Sequence, residues 1–370
     1  LDAMPSAGWS HTVLLRSDGR AAAFGFSGEV GKGLPDAEGG VRYIQAATGL
    51  HHTVLLRSDG RAQGFGGNRD GECDLPEAGA WLSYEQVSVG CSHTVLLRSD
   101  GNVVACGSNR HHECDVPELE PGIRYVQVAA GARHTVLLRS DGRAVAVGGN
   151  EYGQCDLPEL DSEAEFIQVA AGASHTVLLR RDGRVLACGA NEYGQCNLPE
   201  LHDCIQVAAG ACHTVLLRQD GSAAACGCNR YGRCDIPQRD DDVKYVQVAA
   251  GGLHTVLLRS DGRVDSCGQC QIPEPEDGIL YCPCLAFRDV VVQLRVNDED
   301  TQSAPAASCQ GLSGRVVAAW HRKELEFEGC ALQQVRSVVS RPGVRLRVVA
   351  PGGQLLSENT TWAQLLQPCL

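Results

Sequence analysis

Tyr125-Val126-Gln127-Val128-Ala129-Ala130-Gly131-Ala132-Arg133-His134-Thr135-Val136-Leu137-Leu138-Arg139-Ser140-Asp141-Gly142 carries the pattern that organises this chain. It reads as an extended run closed by glycine, a variable pair, a second extended run and an Asp-Gly turn. The portion His-Thr-Val-Leu-Leu-Arg returns at His11, His52, His93, His134, His175, His213 and His254, with spacings of 41, 41, 41, 41, 38 and 41 residues. After each turn comes an Ala-x-Cys-Gly-like run, then a polar loop and, in most units, a Pro-containing connector. Self-similarity at such a period marks a repeat architecture.

The runs are short, carry β-branched residues and are bounded by Gly, Asp-Gly or Pro, which favours strands over helices. Asp59-Gly60, Asp100-Gly101 and their equivalents supply the positive φ that tight hairpins need, so each unit is expected to be an up-and-down sheet of four segments or fewer. His134-Thr135-Val136-Leu137-Leu138-Arg139 is apolar on both pleat faces, as a sheet covered on each side requires. Ala129-Ala130-Gly131 is too small to fill a thick core and suits strands crowded round an axis. The expected fold is all-β, a seven-bladed β-propeller over residues 1–287. A linear solenoid is the alternative, disfavoured because no polar capping unit is seen. Ile279–Phe287 occupies the place of an eighth inner strand and Ala3–Gly8 is a weak first copy, so these ends are expected to meet and close the ring.

The 370 residues carry a formal net charge of −13, of which −14 precedes residue 286 and +1 follows it. An acidic propeller repels phosphate backbones, so a nucleic-acid partner is not expected. No apolar run approaches the roughly 18 residues of a membrane span, and Leu1-Asp2-Ala3-Met4-Pro5 lacks the regions of a secretory signal. The chain reads as soluble, without a membrane partner, and as a monomer. Lacking an initiating Met and opening partway through a repeat, it also reads as a fragment. Nineteen cysteines are odd in number and too sparse for a disulfide scaffold. A cytoplasmic location, with the nucleus as alternative, is expected. The single sequon Asn359-Thr360-Thr361 carries little weight.

Gly-x-x-His-Thr and Asp-Gly in every unit, with Gly-x-Asn in five, resemble the regulator of chromosome condensation family of propellers over about three quarters of the chain. That resemblance implies the propeller fold and a choice of functions: nucleotide exchange on a small GTPase, light sensing, lactamase inhibition, or partner docking in HECT-type ubiquitin ligases. Units of 41 residues or fewer leave no room for the wedge of the exchange factor, and Trp9, Trp81, Trp320 and Trp362 form no clustered array. The variable pair after the repeat glycine is mostly small, unlike the aromatic rim of a lactamase inhibitor. A HECT catalytic lobe has no space. What remains is a non-catalytic scaffold that binds a protein partner through one propeller face. The alternative is an exchange factor, or the substrate-targeting part of a ligase.

On a pseudo-symmetric scaffold, residues present in every blade serve the fold, and binding uses positions that differ. The seven histidines, one per blade, cannot converge on one ion and are expected to be hydrogen-bonded within the fold. Repeated arginines such as Arg98 and Arg139 read as turn-binding groups. The face carrying the first and second loops of each blade collects the variable residues: Trp9, Leu50, His51, Arg133 and Leu253 from one loop, and Arg69, Arg110, His111, Tyr152, Tyr193, Arg230 and Tyr231 from the other. Tyr, Trp and Arg dominate interface energetics, although a solvated rim would carry them too. The opposite face holds the turn aspartates and is expected to be acidic, favouring a basic partner. No nucleophile with a nearby base, no phosphate-cradling loop and no acid pair interrupts the repeat, so neither enzymatic activity nor a cofactor is expected.

Cysteines fall into slots. Phe24, Phe65, Cys106, Val147, Cys188, Cys226 and Cys267 share one, which takes any compact apolar side chain. Cys73, Cys114, Cys155, Cys196, Cys234 and Cys270 share another, where the first blade has Gly33. Cys267-x-x-Cys270 with Cys282-x-Cys284 has metal-like spacing, but loss of the polar loop in the last unit merely brings two ordinary slots together. Reduced thiols are expected, with zinc or a disulfide as the alternative.

Residues 288–370 read as a small α+β domain: a strand over Asp289–Val296, a polar loop over Asn297–Ser313, a strand over Gly314–Phe327, a helix over Cys330–Ser340, and a hairpin that opens with Val344–Val349. This order, and Leu346–Leu365 above all, resembles the ubiquitin-like β-grasp. That implies docking, since no terminal Gly-Gly is present. A plain α+β cap is the alternative.

Overall fold

The computed structural model describes residues 6–9, 11–16, 19–25, 34–35, 41–79, 81–161, 164–238, 243–270 and 272, together with four strands in the C-terminal region. The chain divides into two compact units, Leu1–Cys284 and Leu285–Leu370.

The first unit holds seven three-stranded antiparallel sheets. Blade 1 comprises Ser6–Ala7, His11–Leu15 and Ala21–Gly25; blade 2, Tyr43–Thr48, His52–Arg57 and Ala62–Gly66; blade 3, Tyr84–Val89, His93–Arg98 and Val103–Gly107. Blade 4 comprises Tyr125–Ala130, His134–Arg139 and Ala144–Gly148; blade 5, Phe166–Ala171, His175–Arg180 and Val185–Gly189. Blade 6 comprises Cys204–Ala209, His213–Arg218 and Ala223–Gly227; blade 7, Tyr245–Ala250, His254–Arg259 and Val264–Gly268. Among the described residues no fourth strand joins any of these sheets, so the expected four segments or fewer resolve to three strands followed by the polar loop and connector.

Within blade 4, Ala130 faces Thr135 and His134 faces Gly148, and a bulge between Tyr125 and Gln127 recurs at the same point in blades 2 to 7. The bulge turns the intervening residue out of the ladder. Second strands are buried throughout: Val136 and Leu137 are wholly enclosed, because Val95 and Leu97 of blade 3 pack with Tyr125, Val128 and Leu137 of blade 4. Each such leucine contributes about 1.5–3 kcal/mol through burial, supplied by neighbouring blades. This explains why the strand is apolar on both faces.

First strands surround the axis and are joined by glutamine side chains. Gln127 Nε2 donates to the Val169 carbonyl at 3.2 Å while Val169 N donates to Gln127 Oε1 at 2.9 Å. The same double bridge links Gln45 to Val87, Gln86 to Val128, Gln168 to Val207 and Gln206 to Val248. At Gln247 the pattern fails, and its buried Oε1 has no partner.

Gly131 ends a first strand where a Cβ would press on the His134 ring and come within 2.5 Å of the Gly172 carbonyl oxygen. Close approach to the next blade therefore demands glycine. Ring closure is direct: Gly252 N donates to the Gly8 carbonyl at 2.9 Å, and His254 Nε2 lies 2.6 Å from Thr12 Oγ1. The expected closing segment Ile279–Phe287 lies outside the described residues, as does the first half of Ala3–Gly8, of which Ser6–Ala7 forms the first strand of blade 1.

Each connector returns to the turn end, where the first residue of the next blade reaches the preceding turn glycine, as in Tyr125 N to Gly101 O at 2.9 Å and Phe166 N to Gly142 O at 2.8 Å. The 38-residue spacing reflects a shorter connector before blade 6, yet Cys204 N still meets Gly183 O at 3.2 Å.

In the second unit, Val290–Val296 pairs antiparallel with Ala307–Gln310 and parallel with Leu346–Val349, and Val316–Trp320 completes a mixed four-stranded sheet. The polar stretch 297–313 thus contains a strand that its composition concealed, and the strand expected over 314–327 is described only as Val316–Trp320. The expected helix at 330–340, and all but the first four residues of Leu346–Leu365, lie outside the described residues. Among the described residues no helix is long and apolar enough to cross a membrane.

Candidate partner-binding face

Most repeated polar residues are occupied within the fold. Each histidine Nε2 meets the threonine of the next blade: His11 to Thr53, His52 to Thr94, His93 to Thr135, His134 to Thr176, His175 to Thr214 and His213 to Thr255, at 2.8–3.1 Å, with His254 to Thr12 closing the circuit. Thr94, Thr135, Thr176, Thr214 and Thr255 each donate their one hydroxyl proton to a backbone carbonyl, as Thr176 does to Gln154 O at 2.7 Å. The histidine must then be the donor, which fixes the Nε2–H tautomer. Nδ1 is buried without a partner in His11, His52, His93, His134, His175 and His213. Burial pushes the imidazoles down to about 4 in His11, His52, His93, His175 and His254 and to about 3 in His134 and His213. They are neutral fold elements.

The arginine ending each second strand binds its own turn. Arg57, Arg98, Arg139 and Arg259 lie 2.7 Å from Asp59, Asp100, Asp141 and Asp261, and Arg180 lies 3.1 Å from Asp182. Arg218 prefers Asp203 at 2.8 Å over Asp220 at 3.9 Å. Among the described turn aspartates, Asp59, Asp100, Asp141, Asp182 and Asp261 are thus each paired with the arginine two residues earlier.

Cysteine slots hold free thiols. Cys114 donates to Ser108 O and Cys73 to Gly67 O at 3.2 Å, and burial pushes both thiols up to about 11. Cys267 donates to Arg233 O at 3.2 Å, whereas Cys270 lies 3.5 Å from Thr12 Oγ1. No group of three metal-ligating side chains occurs among the described residues, and Cys282 and Cys284 lie outside them.

The loops that present the variable residues are braced by a repeated asparagine. Asn150 Oδ1 accepts from Cys155 N at 2.8 Å and its Nδ2 donates to Asp156 at 2.8 Å. Inside the same loop Gln154 Oε1 accepts from Tyr152 N at 3.0 Å, and Gln195 does the same for Tyr193. The backbone is pinned while the tyrosine rings stand out, 52% exposed in Tyr152 and 56% in Tyr193. Blade 6 departs from this pattern. Arg233 fills the buried glutamine slot and has no acceptor to offer, so Arg233 Nε donates to Arg230 O at 3.2 Å and Tyr231 takes φ 73°. Tyr231 is 46% exposed, with the Arg230 guanidinium 5.1 Å from its ring centre.

All twelve candidate residues belong to this loop end. Arg69, Arg110, His51, Arg133 and Arg230 are exposed; Leu50, His111 and Leu253 are half-buried. Arg110 reaches Asp70 of blade 2 at 3.0 Å. Trp9 is half-buried and close to Cys91 of blade 3, which Arg133 also approaches. It spans the loop end of the central cavity, whose lining there includes Ala132, Ala173, Ala211 and Gly252. Gly252 replaces alanine because a Cβ would come within 2.5 Å of the Trp9 carbonyl oxygen. His112 sits at φ 68° where the loops of blades 2, 4, 5 and 6 carry glycine, and its Nδ1 pairs with Asp115 at 2.7 Å. Sequence reasoning missed an apolar set at the turn end: Ile44, Ile167 and Ile205 are 36%, 40% and 51% exposed. The bulge follows the first residue of the strand, and its recurring hydrophobe was the available signal.

The family model described as the Regulator of chromosome condensation (RCC1) repeat matches residues 84–113, 125–154, 166–195, 204–233 and 245–269, that is, blades 3 to 7. The chain is an RCC1-repeat propeller. Blades 1 and 2 repeat the same His-Thr and Asp-Gly elements outside the matched segments. Among solved structures, Prp20p from Saccharomyces cerevisiae, studied with its binding to Gsp1p and histones, shares 20% identity at TM-score 0.58, covering 74% of this chain and 82% of its own. The ectodomain of the Arabidopsis thaliana receptor kinase ACR4 shares 18% at TM-score 0.57, covering 75% and 99%; human WBSCR16 shares 18% at 0.57, covering 70% and 87%. These similarities speak for the fold. No curated protein matches the sequence significantly.

Proposed function

We propose that this RCC1-repeat propeller is a non-catalytic interaction module that binds a protein partner through its loop end, in the cytoplasm or nucleus. The observation that carries the reading is the row Tyr152, Tyr193 and Tyr231, placed at one loop position in three successive blades and left half-exposed, with the Tyr152 and Tyr193 amides already hydrogen-bonded within their loops. A rigid aromatic costs little conformational entropy to bury, and its hydroxyl keeps a polar handle at an interface. Arg69, Arg110, Arg133 and Arg230 add donors suited to carboxylates. Binding to Gsp1p and histones belongs to Prp20p; for this chain it supports a protein partner as the class of ligand.

The test is affinity capture with the wild-type chain beside Y152A/Y193A/Y231A, both shown folded by circular dichroism. Loss of one protein from the triple variant supports the reading, and an unchanged capture profile sinks it. If the captured protein is a GTPase whose nucleotide release the chain accelerates, exchange replaces docking as the function.

A further inference from the structure

Blade 6 departs from the repeat at three adjoining positions. Cys212 and Cys228 lie one residue beyond the His213–Gly227 pair that ends the ladder, and they are bridged there by a hydrogen bond from Cys228 N to Cys212 O at 2.8 Å. The equivalent pairs are His51 and Gly67, Ser92 and Ser108, Arg133 and Gly149, Ser174 and Ala190, and Leu253 and Gln269; none has two thiols. The third departure is Arg233, in the slot held by Glu72, Glu113, Gln154 and Gln195. Its Nη2 donates to the Cys228 sulfur at 3.4 Å and its Nη1 to Gly252 O at 2.6 Å. Two neighbouring thiols and a guanidinium thus coincide in one blade of seven.

We propose that Cys212 and Cys228 form a peroxide-reactive dithiol, with Arg233 as the group that promotes attack by the Cys228 sulfur. Facing residues of antiparallel strands lie about 4.5–5.5 Å apart at Cα and a disulfide spans roughly 4.4–6.8 Å, so a pair bridged just past the end of the ladder is placed for one. Both thiols are half-buried, open to a small oxidant yet shielded from larger ones. The Cys228 thiolate attacks one oxygen of hydrogen peroxide; an S–O bond forms, the O–O bond breaks, and the departing hydroxide takes up a proton as water. The sulfur of Cys212, giving up its proton, then attacks the resulting sulfenic acid. The S–S bond forms and the second water leaves, so two thiols are oxidised while one peroxide is reduced to two waters. The buried arginine, donating to sulfur and otherwise only to carbonyl oxygens, stabilises charge on Cys228 as it reacts. Burial pushes the Cys212 thiol up, with Arg233 opposing that shift, which suits Cys212 to the resolving role. Cys226 and Cys234 nearby are held up to about 11 by burial and face backbone carbonyls instead.

The test is limited hydrogen peroxide treatment of the full chain, blocking of remaining thiols and non-reducing peptide mass spectrometry. A peptide linked through Cys212 and Cys228, lighter by two hydrogens, is expected before any other disulfide. R233Q should slow its formation roughly tenfold, the scale of a lost charged hydrogen bond, whereas R233K should retain most of the rate. Glutamine occupies the same slot in blades 4 and 5, so R233Q is expected to fold. In C212S, dimedone should label Cys228; in C228S, it should leave Cys212 unlabelled. Another pair oxidising first, an unchanged rate in R233Q, or labelling of Cys212 in C228S would overturn the proposal. The outcome is independent of the partner-binding reading.

Discussion

His254 Nε2 lies 2.6 Å from Thr12 Oγ1, so the bond that joins each blade to the next also joins the last to the first across 242 residues of sequence. Because the circuit is closed, no histidine is left at an open edge, and all seven are buried. Their behaviour is therefore collective.

Acid should expose that collectivity. Imidazoles of the unfolded chain titrate near 6.5, whereas the folded ones are held at about 3 to 4. Between those values the unfolded state binds more protons, so stability is complete above about pH 6.5, declines as pH falls, and levels off below about pH 3. Each histidine contributes up to about 1.4 kcal/mol per pH unit. Urea unfolding at pH 7, 6 and 5 should show a midpoint that drops steeply; a flat profile would contradict neutral buried histidines.

Thr176 accepts from His134 and donates to Gln154 O. Thr176→Val should therefore strand two buried groups and cost about 2–4 kcal/mol, while Thr176→Ser should cost much less. Comparison of the two denaturation midpoints checks this.

Gln127 completes two bonds to Val169, whereas Gln247 keeps a buried oxygen without a donor. Gln127→Met should destabilise by about 2 kcal/mol by leaving Val169 unpaired, and Gln247→Met by about 0.5 kcal/mol or less. Equal losses in thermal unfolding would show that the amide ladder adds nothing.

Gly131→Ala should cost about 3 kcal/mol, because its methyl meets the His134 ring and the Gly172 carbonyl and neither can yield without moving a blade. Hydrogen exchange should report the loss at blades 4 and 5 first.

The propeller was legible because a near-invariant unit must bury itself against its own copies, and His134–Leu138 admits no solvated face. The strand count was bounded at four or fewer but not fixed at three, because Asn150 and Gln154 brace the loop after the third strand through side-chain bonds that a strand pattern cannot anticipate. Arg57, two residues before Asp59, was visible, but its geometry was needed to show that the pair neutralises the turn. The loop position of Tyr152 and Tyr193 was readable, whereas the approach of Trp9 in blade 1 to Cys91 in blade 3 skips a blade and leaves no trace at repeat spacing. Arg233 in a glutamine slot was the signal for the altered loop of blade 6, since a side chain that only donates cannot serve the Tyr231 amide.

The connector before blade 6 is three residues shorter than the one before blade 5, yet Cys204 still reaches Gly183. Length at that outer stretch is thus uncoupled from the register of the sheets it joins. It marks a place where a reporter or affinity tag can be spliced into the middle of the chain with the ring left intact.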